Sequence, residues 1–322
     1  MRTNRFFLPL LSAVAGLGLT ASAFAHDDPS SLLVFPEFDS SIGSSTVITV
    51  TNTSDDSVNG NITVHYRYID SRNCLEFDRN ENLTANDTLT VLAAFHNPDQ
   101  VQGFLYVYAQ RNGVPISFNH LIGQELTLNA FILFNYAYNP FNFKAIPAEG
   151  SPTNVSPADN LRNFNNQEYE QAPDALLIPR FFGQDVIFDS HLVLLNLEGG
   201  KNFETVVDFL VYNNNEVQLS AQYQFRCWTK VDLDEISGVF DNTFLNLFTD
   251  IDIPEVLGLL GIHAGWFKVD GNVAFSSADS IDDPAILAVL DETFGPFGAA
   301  DLPYALGRQD GDLLGTSIFH ND

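Results

Sequence analysis

A near-repeat is the feature that most constrains the fold of this chain: LLVFPEF begins at position 32, and LLIPRFF begins at position 176. Further segments align after each copy: Ser45 with Ser190, Val-Thr-Asn at 50–52 with Leu-Leu-Asn at 194–196, and GFLYVYAQ at 103 with GWFKVDGN at 265. We therefore predict a diverged tandem duplication of one domain, against the alternative of chance similarity.

The sequence that follows each copy of the motif is typical of β-strands. In the segment 60–70, apolar side chains occupy every second position, which is the period of a half-buried strand. Other short strands are predicted at 45–52, 87–95, 103–110, 115–123, 190–197, 203–213 and 217–228. Many short strands separated by turns are typical of a sandwich. The predicted fold class is all-β, with two tandem related antiparallel β-sandwich domains of Ig-like or jelly-roll-like type.

The predicted boundaries are a signal peptide at 1–25, a first sandwich at 26–145, a linker at 146–174 and a second sandwich at 175–322. The linker is rich in Pro, Asn and Ser and has no periodicity. Short helical insertions are expected in the second sandwich at about 233–262 and 282–295. In the latter, Asp283 stands at an N-cap position, Pro284 in the first turn and Gly295 past the end.

The first 25 residues have the order of a secretory signal: a basic start, a short apolar run and an Ala-Phe-Ala cleavage site. We expect a secreted protein located in the periplasm, at the cell surface or in the extracellular space, with no transmembrane segment after signal removal. Loss of Arg2 and Arg5 leaves 12 basic against 41 acidic residues, a net charge of −29. This charge opposes nucleic-acid binding.

The chain has two cysteines, Cys74 and Cys227, and each follows a Tyr-rich strand. An even number in an oxidising compartment favours a disulfide. Their equivalent places in the two copies argue mildly against it, since each would then stay near its own sandwich. The alternative is two separate buried thiols.

The usual signatures of catalysis are missing: no GxSxG, HExxH, phosphate-binding glycine loop or CxxC occurs. We therefore expect a non-enzymatic structural or binding protein. A protein or glycan partner and self-association are both compatible with this interpretation. The aromatic-rich segment 131–143 is expected to be buried between the domains, and an exposed platform for sugars is the alternative.

Cleavage after Ala25 would make His26 the N-terminal residue, with its imidazole beside a free amine. In this one residue the chain resembles the copper histidine brace of lytic polysaccharide monooxygenases and of some periplasmic copper carriers, which are also β-sandwiches. The resemblance implies a copper-dependent enzyme or carrier with a second histidine, for which His96 and His120 are the candidates. The alternative is a solvated terminus. His65, His191 and His263 are interpreted as structural.

Acidic segments make calcium a better candidate cofactor than copper. They lie at 231–235, 249–255, 280–284 and 307–312, and none has the twelve-residue EF-hand loop. Helix capping by aspartate explains most of them. The loop 301–312, with Asp310 and Asp312, is retained as a candidate metal site.

The charge balance gives a first prediction. Because the mature chain carries −29 and only 4 lysines, salt should screen its self-repulsion and raise its melting temperature. Thermal melts between low and moderate sodium chloride concentration test this. A melting temperature that stays flat or falls with salt would contradict it.

Overall fold

The computed structural model describes residues 28–130, 134–154, 162–183, 188–198, 200–246, 263–294, 297–301 and 303–313. The predicted signal peptide and His26 lie outside the described residues. Strands of the first half are β1 (Leu32–Asp39), β2 (Ser44–Asn52), β3 (Ile62–Asp70), β4 (Glu76–Leu83), β5 (Thr88–Leu92), β6 (Gln102–Arg111), β7 (Val114–Pro115), β8 (Leu121–Asn129), β9 (Phe134–Tyr138) and β10 (Phe141–Phe143). A short helix, α1 (Ala93–His96), follows β5.

Strands of the second half are β11 (Arg162–Asn163), β12 (Ala175–Phe182), β13 (Phe188–Asn196), β14 (Glu204–Asn213), β15 (Gln218–Phe225), β16 (Trp228–Asp232), β17 (Ala264–Phe275), β18 (Ser280–Asp282), β19 (Ile286–Phe294), β20 (Phe297–Asp301), β21 (Tyr304–Leu306) and β22 (Asp312–Leu313). Helices α2 (Leu233–Ile236) and α3 (Asn242–Leu245) follow β16, with a 3₁₀ turn at Gly238–Phe240 between them. No helix of the described residues is long and apolar enough to cross a membrane.

Four antiparallel sheets have the same strand order in both halves. Sheet A is β5-β2-β8-β9 and its counterpart, sheet C, is β16-β13-β19-β20. Sheet B is β10-β1-β6-β3-β4 with β7 on β6, and its counterpart, sheet D, is β21-β12-β17-β14-β15 with β18 on β17. The predicted all-β class and tandem sandwiches are thus confirmed.

The duplication extends to local geometry. Gly103 pairs with Phe38, and its counterpart Gly265 pairs with Phe181, each beside a register shift. A Cβ at Gly103 would lie 1.9 Å from the carbonyl oxygen of Ile69, and one at Gly265 would lie 2.7 Å from that of Tyr212. Only glycine permits such a close approach of neighbouring backbones, so both copies keep it.

Two pairings of the sequence alignment are wrong by a residue. Relative to the equivalent Gly103 and Gly265, Phe38 takes the place of Phe181, so LLVFPEF is shifted by one against LLIPRFF and Leu32 corresponds to Ala175. Registers place Ser190 opposite Glu292, as Thr46 is opposite Thr127, so Ser190 corresponds to Thr46 rather than to Ser45. The hydroxyls of Thr46 and Ser190 make the same contact, each donating at 3.2 Å to the last carbonyl of the preceding strand.

Three apolar clusters separate the four sheets into stacked layers in the order A, B, C, D. One fills the space between A and B, and another fills the space between C and D. The third, which we call the middle core, joins sheet B to sheet C and also takes in Tyr136 and Tyr138 of β9, the edge strand of sheet A that contacts β20 of sheet C. Its members include Val34, Tyr106, Val193, Trp228 and Val289. The halves therefore share a core rather than meeting at a hinge.

The aromatic segment 131–143 was expected between the halves, and its described part lies there. Tyr136, Tyr138, Phe141 and Phe143 are all buried in the middle core. They are packed away from solvent, so they provide no exposed sugar platform. Residues 131–133 lie outside the described part.

The predicted linker also contributes to this core. Phe164 and Tyr169 are fully buried, with Phe164 4.4 Å from Phe143 between ring centroids. Two aromatic side chains in an otherwise polar segment thus hold its described part against the halves.

The helix predicted at 282–295 is wrong. The residues Ile286–Phe294 form β19, and Ile286–Leu290 are all buried. Sheet C has a packed layer on each face, so its strand is apolar at consecutive positions, a pattern that a buried helix also gives. The insertion predicted at 233–262 is present as α2, the 3₁₀ turn and α3, and residues 247–262 lie outside the described part.

Cys74 and Cys227 form a disulfide, with Cα atoms 6.0 Å apart. Their predicted equivalence is wrong. Cys74 follows β3, whose counterpart is β14, whereas Cys227 follows β15, the counterpart of β4. Each therefore reaches the middle core from a different connection, and the bond joins the two halves.

Loss of this bond gives the second prediction. Replacing both Cys74 and Cys227 by Ala should lower the free energy of unfolding by about 4–5 kcal/mol, because the bond spans 153 residues and restricts the unfolded chain. Urea denaturation at equilibrium measures the loss, and the reduced wild type should match the double variant. Two titratable thiols in the unfolded, unreduced protein would refute the pairing.

Candidate functional site

A bulge in β1 directs Glu37 into the junction between the halves. The register of β1 with β6 shifts between Phe35 and Phe38, and Pro36 lies inside the shift. Proline lacks the N–H that a regular strand ladder uses, so it fits best at a bulge. A bulge also changes the direction of the side chains next to it, here that of Glu37. The second copy shifts between Ile178 and Phe181, around Pro179 and Arg180.

Glu37 is the centre of a buried polar network at the junction of sheets A, B and C. The ammonium of Lys230 lies 3.0 Å and 3.2 Å from its two carboxylate oxygens and 2.5 Å from Asp291. The hydroxyls of Tyr136 and Tyr138 donate to Glu37 at 2.5 Å and 3.2 Å. Glu37 and Asp291 have side chains that are 1% exposed, so the network is almost entirely buried.

The protonation of this network follows from burial and from its single cation. Burial raises the pKa of Asp291 to about 6, against the opposing effect of Lys230. Burial alone would lower the pKa of Lys230, but the charges of Asp291 and Glu37 outweigh it and raise that pKa. Burial, reinforced by the charge of Glu37, raises the pKa of Glu125 well above its ordinary value.

The network has the character of a structural clamp. Glu37 already accepts hydrogen bonds from two tyrosines and from Lys230, and these occupy the acceptor positions that a general base or nucleophile would need. Because Glu37 belongs to the first half and Lys230 to the second, the ion pair ties the halves together.

A cleft of about 190 Å³, which we call the junction cleft, opens beside this network. Glu37, Asn129 and Tyr136 line it from the first half, and His191, Lys230 and Asp291 from the second. His191, which lines the cleft on its sheet C side, forms with the neighbouring Asp189 and Asp232 the one group of potential metal ligands among the described residues.

None of the metal candidates predicted from sequence belongs to that group. His96 is largely buried, with its Nδ1 2.8 Å from the hydroxyl of Tyr68, and His120 lies 3.8 Å from Glu149. Asp310 is exposed and accepts a hydrogen bond from Gln171 at 2.8 Å. The side chain of Asp312, like His26, is outside the described part. The copper and calcium predictions at these residues therefore remain untested.

The sequence interpretation missed all three members of the group, and Asp189 was not considered. His191 was taken as structural, and the segment containing Asp232 was explained by helix capping. Asp232 does occupy the N-cap position of α2, but its side chain makes no capping hydrogen bond. Its carboxylate lies 2.9 Å from Nε2 of His191 instead. The one feature of the sequence that indicated this site is the Asp-Ser-His segment at 189–191, which places two potential metal ligands on the same side of a strand.

The outward side of sheet A is a second candidate site, which we call the uncharged face. Its side chains come from alternate positions of the four strands: Ser45, Val47, Thr49, Thr51, Thr88, Thr90, Leu92, Ile122, Gln124, Leu126, Leu128, Asn135 and Ala137. In a chain whose residues are 17% charged, with an excess of acids, this entire sheet face carries no charge. Depletion of charged residues is typical of the core of a protein interface.

Two features make the uncharged face suited to contact. Leu92, Val47, Leu126 and Ala137 are direct neighbours in one row across the four strands, so they form an apolar ridge. Beside this row, the hydroxyl of Thr49 bonds that of Thr90 at 3.1 Å, and the hydroxyl of Thr51 bonds that of Thr88 at 2.9 Å. Hydroxyls that are hydrogen-bonded to each other cost less free energy to bury under a partner than unpaired hydroxyls do.

The outward side of sheet D, at the other end of the stack, is what we call the aromatic face. Tyr212 and Trp266 are cross-strand partners whose rings stack with centroids 4.2 Å apart. Leu177 and Tyr304 form a neighbouring pair, and Tyr304 is 66% exposed. Exposed large apolar side chains on a sheet face mark an interaction surface.

No known protein-family model matches the chain, and no curated protein is similar to it.

The buried clamp gives the third prediction. Lys230→Met should lower the free energy of unfolding at pH 7 by about 3–5 kcal/mol, because it leaves buried carboxylates without their cation. The folded-state pKa of Asp291, already raised to about 6, should rise further in this variant. Its stability relative to wild type should then recover as the pH falls from 7 to 6, because in this range the folded variant takes up a proton that folded wild type binds only around pH 6.

Urea denaturation at both pH values measures the effect. Lys144→Met is the matched control, because Lys144 makes a 2.6 Å pair with Asp28 that is open to solvent, and its loss should cost no more than about 1 kcal/mol. Equal, pH-independent losses in the two variants would contradict the structural assignment of Lys230.

Proposed function

We propose that this protein is a non-enzymatic structural protein that acts outside the cytoplasm and assembles with further copies of itself. The observation that carries the proposal is the uncharged face of sheet A. On so acidic a chain, a whole exposed sheet face without a charge is best explained by a partner that covers it.

The partner is inferred from the internal packing of the chain. Inside one molecule, the outward side of sheet B packs on the outward side of sheet C through the middle core. Sheet D is the counterpart of sheet B, and sheet A is the counterpart of sheet C. The aromatic face of one copy, set on the uncharged face of the next, would repeat that stacking between molecules.

Such a contact joins two different faces and therefore leaves one free face at each end. Heterologous contacts of this kind continue into open chains unless the rotation closes a ring. The side chains support a reversible contact rather than a permanent one. The aromatic face includes Lys268, which makes a 2.7 Å pair with Asp270, so part of the surface is polar.

The absence of catalysis and the location are proposed on separate grounds. The donors around Glu37 leave its carboxylate fully engaged in holding the halves together. A secretory signal pattern at 1–25 and a disulfide between Cys74 and Cys227 both favour an oxidising compartment, namely the periplasm, the cell surface or the extracellular space.

The fourth prediction tests the stacking. Wild-type protein should show a mean mass that rises with concentration in analytical ultracentrifugation, and salt should strengthen the effect by screening repulsion. Val47→Asp on the uncharged face and Trp266→Glu on the aromatic face should each abolish assembly. Matched controls are Val58→Asp and Phe95→Glu, at apolar residues that are 79% and 82% exposed but lie outside both faces.

Mixing the two disrupted variants separates this proposal from others. Each variant keeps one intact face, and the two intact faces are complementary, so an equimolar mixture should form dimers and stop there. A wild type that stays monomeric at high concentration in moderate salt would overturn the proposal. So would assembly that is lost equally in the controls, or a mixture that remains monomeric.

A further inference from the structure

The group at the rim of the junction cleft is built by strand geometry. Asp189 and His191 are two residues apart on β13, so their side chains leave the same side of sheet C. Asp232 on β16 is the direct cross-strand partner of His191. Nε2 of His191 lies 2.9 Å from Asp232 and 3.5 Å from Asp189, and one ligand atom from each residue falls within 4.8 Å of the others.

We propose that Asp189, His191 and Asp232 bind one divalent transition-metal ion of the zinc class. One imidazole and two carboxylates are a donor set that zinc accepts in four-coordinate sites, with the fourth position left for water or another ligand. Calcium prefers six to eight oxygen ligands, and an imidazole nitrogen fits it poorly. The three side chains are 25–35% exposed, so an ion can enter from solvent.

Unpartnered oxygens around the group provide independent support. Oδ1 of Asp189 is buried and has no hydrogen-bond partner. Asp291, the other cross-strand partner of His191, has a side chain that is 1% exposed, and its Oδ1 likewise has no hydrogen-bond partner. Buried polar atoms without partners are costly and uncommon, and a cation beside them would satisfy the carboxylate oxygens.

Among the described residues, the carboxylates at the rim of the junction cleft lack a lysine or arginine partner, which favours a cation there. Lys230 contacts Glu37 and Asp291 directly, which compensates the deep end of the cleft. At the rim, the ion pairs of Asp189 and Asp232 within the described residues run to His191 alone. A divalent ion at the rim would balance the negative charge of the two carboxylates.

Isothermal titration with zinc chloride, and elemental analysis after dialysis against zinc, test the proposal on the full mature chain. Wild type should bind one equivalent, and saturating zinc should raise its melting temperature. His191→Gln and Asp232→Asn should each weaken binding by at least about tenfold. The visible spectrum of bound cobalt should show an intensified band in wild type that both variants lose.

His120→Gln is the matched control, because His120 is also paired with a carboxylate, Glu149, but lies outside the group. It should bind zinc as wild type does. If His191→Gln fails to fold, Asp189→Asn provides the same test, since the side chain of Asp189 is 35% exposed. Zinc that does not bind at equimolar concentration, or that binds equally to the ligand variants and the control, would overturn the proposal. Assembly through the uncharged face does not depend on either outcome.

Discussion

The packing of sheet B on sheet C is the contact on which the rest of the structure depends. It converts two sandwiches into four stacked layers, and it makes the two inner sheets apolar on both sides. This explains why the repeated motif is buried differently in its two copies. In β1, of sheet B, every residue except the last is buried, whereas in β12, of sheet D, four of the eight residues are partly or fully exposed. One ancestral strand has been fitted to an inner layer in one half and to an outer layer in the other.

That contact also decides where polar groups can lie. A layer buried on both faces can keep charges only where they are paired, and the clamp of Glu37, Lys230 and Asp291 meets this requirement at the edge of the middle core. The bulge around Pro36 allows Glu37 to reach Lys230. The equivalent bulge in β12 places Arg180 2.5 Å from Glu292. The repeated motif thus places a charge in each half, but with opposite sign.

Much of the fold could be predicted from the sequence because its main signals are local. The alternation of apolar and polar residues identifies the strands of the outer sheets, and the repeated motif identifies the two halves. The wrong secondary-structure prediction falls in an inner sheet, where the local sequence is ambiguous. The consecutive apolar residues of β19 fit a buried helix as well as a buried strand. The disulfide was left undecided because the strand counterparts of Cys74 and Cys227 emerge only from the sheet order. The rim of the junction cleft was missed for a related reason. His191 and Asp232 are 41 positions apart and meet only through the register of β13 with β16, which no local pattern specifies.

The bond between Cys74 and Cys227 has a mechanical consequence. A force that pulls on the two ends of the chain would be carried across this covalent link, bypassing the intervening segment. The bond spans 153 residues, so about 500 Å of contour length, at roughly 3.4 Å per extended residue, is withheld from stretching. The withheld segment runs from β4 through β15, which is seven of the ten strands of the first half and five of the twelve strands of the second. In an oxidising environment the molecule therefore bears load as a short, stiff link, and reduction would convert it into a long extensible one.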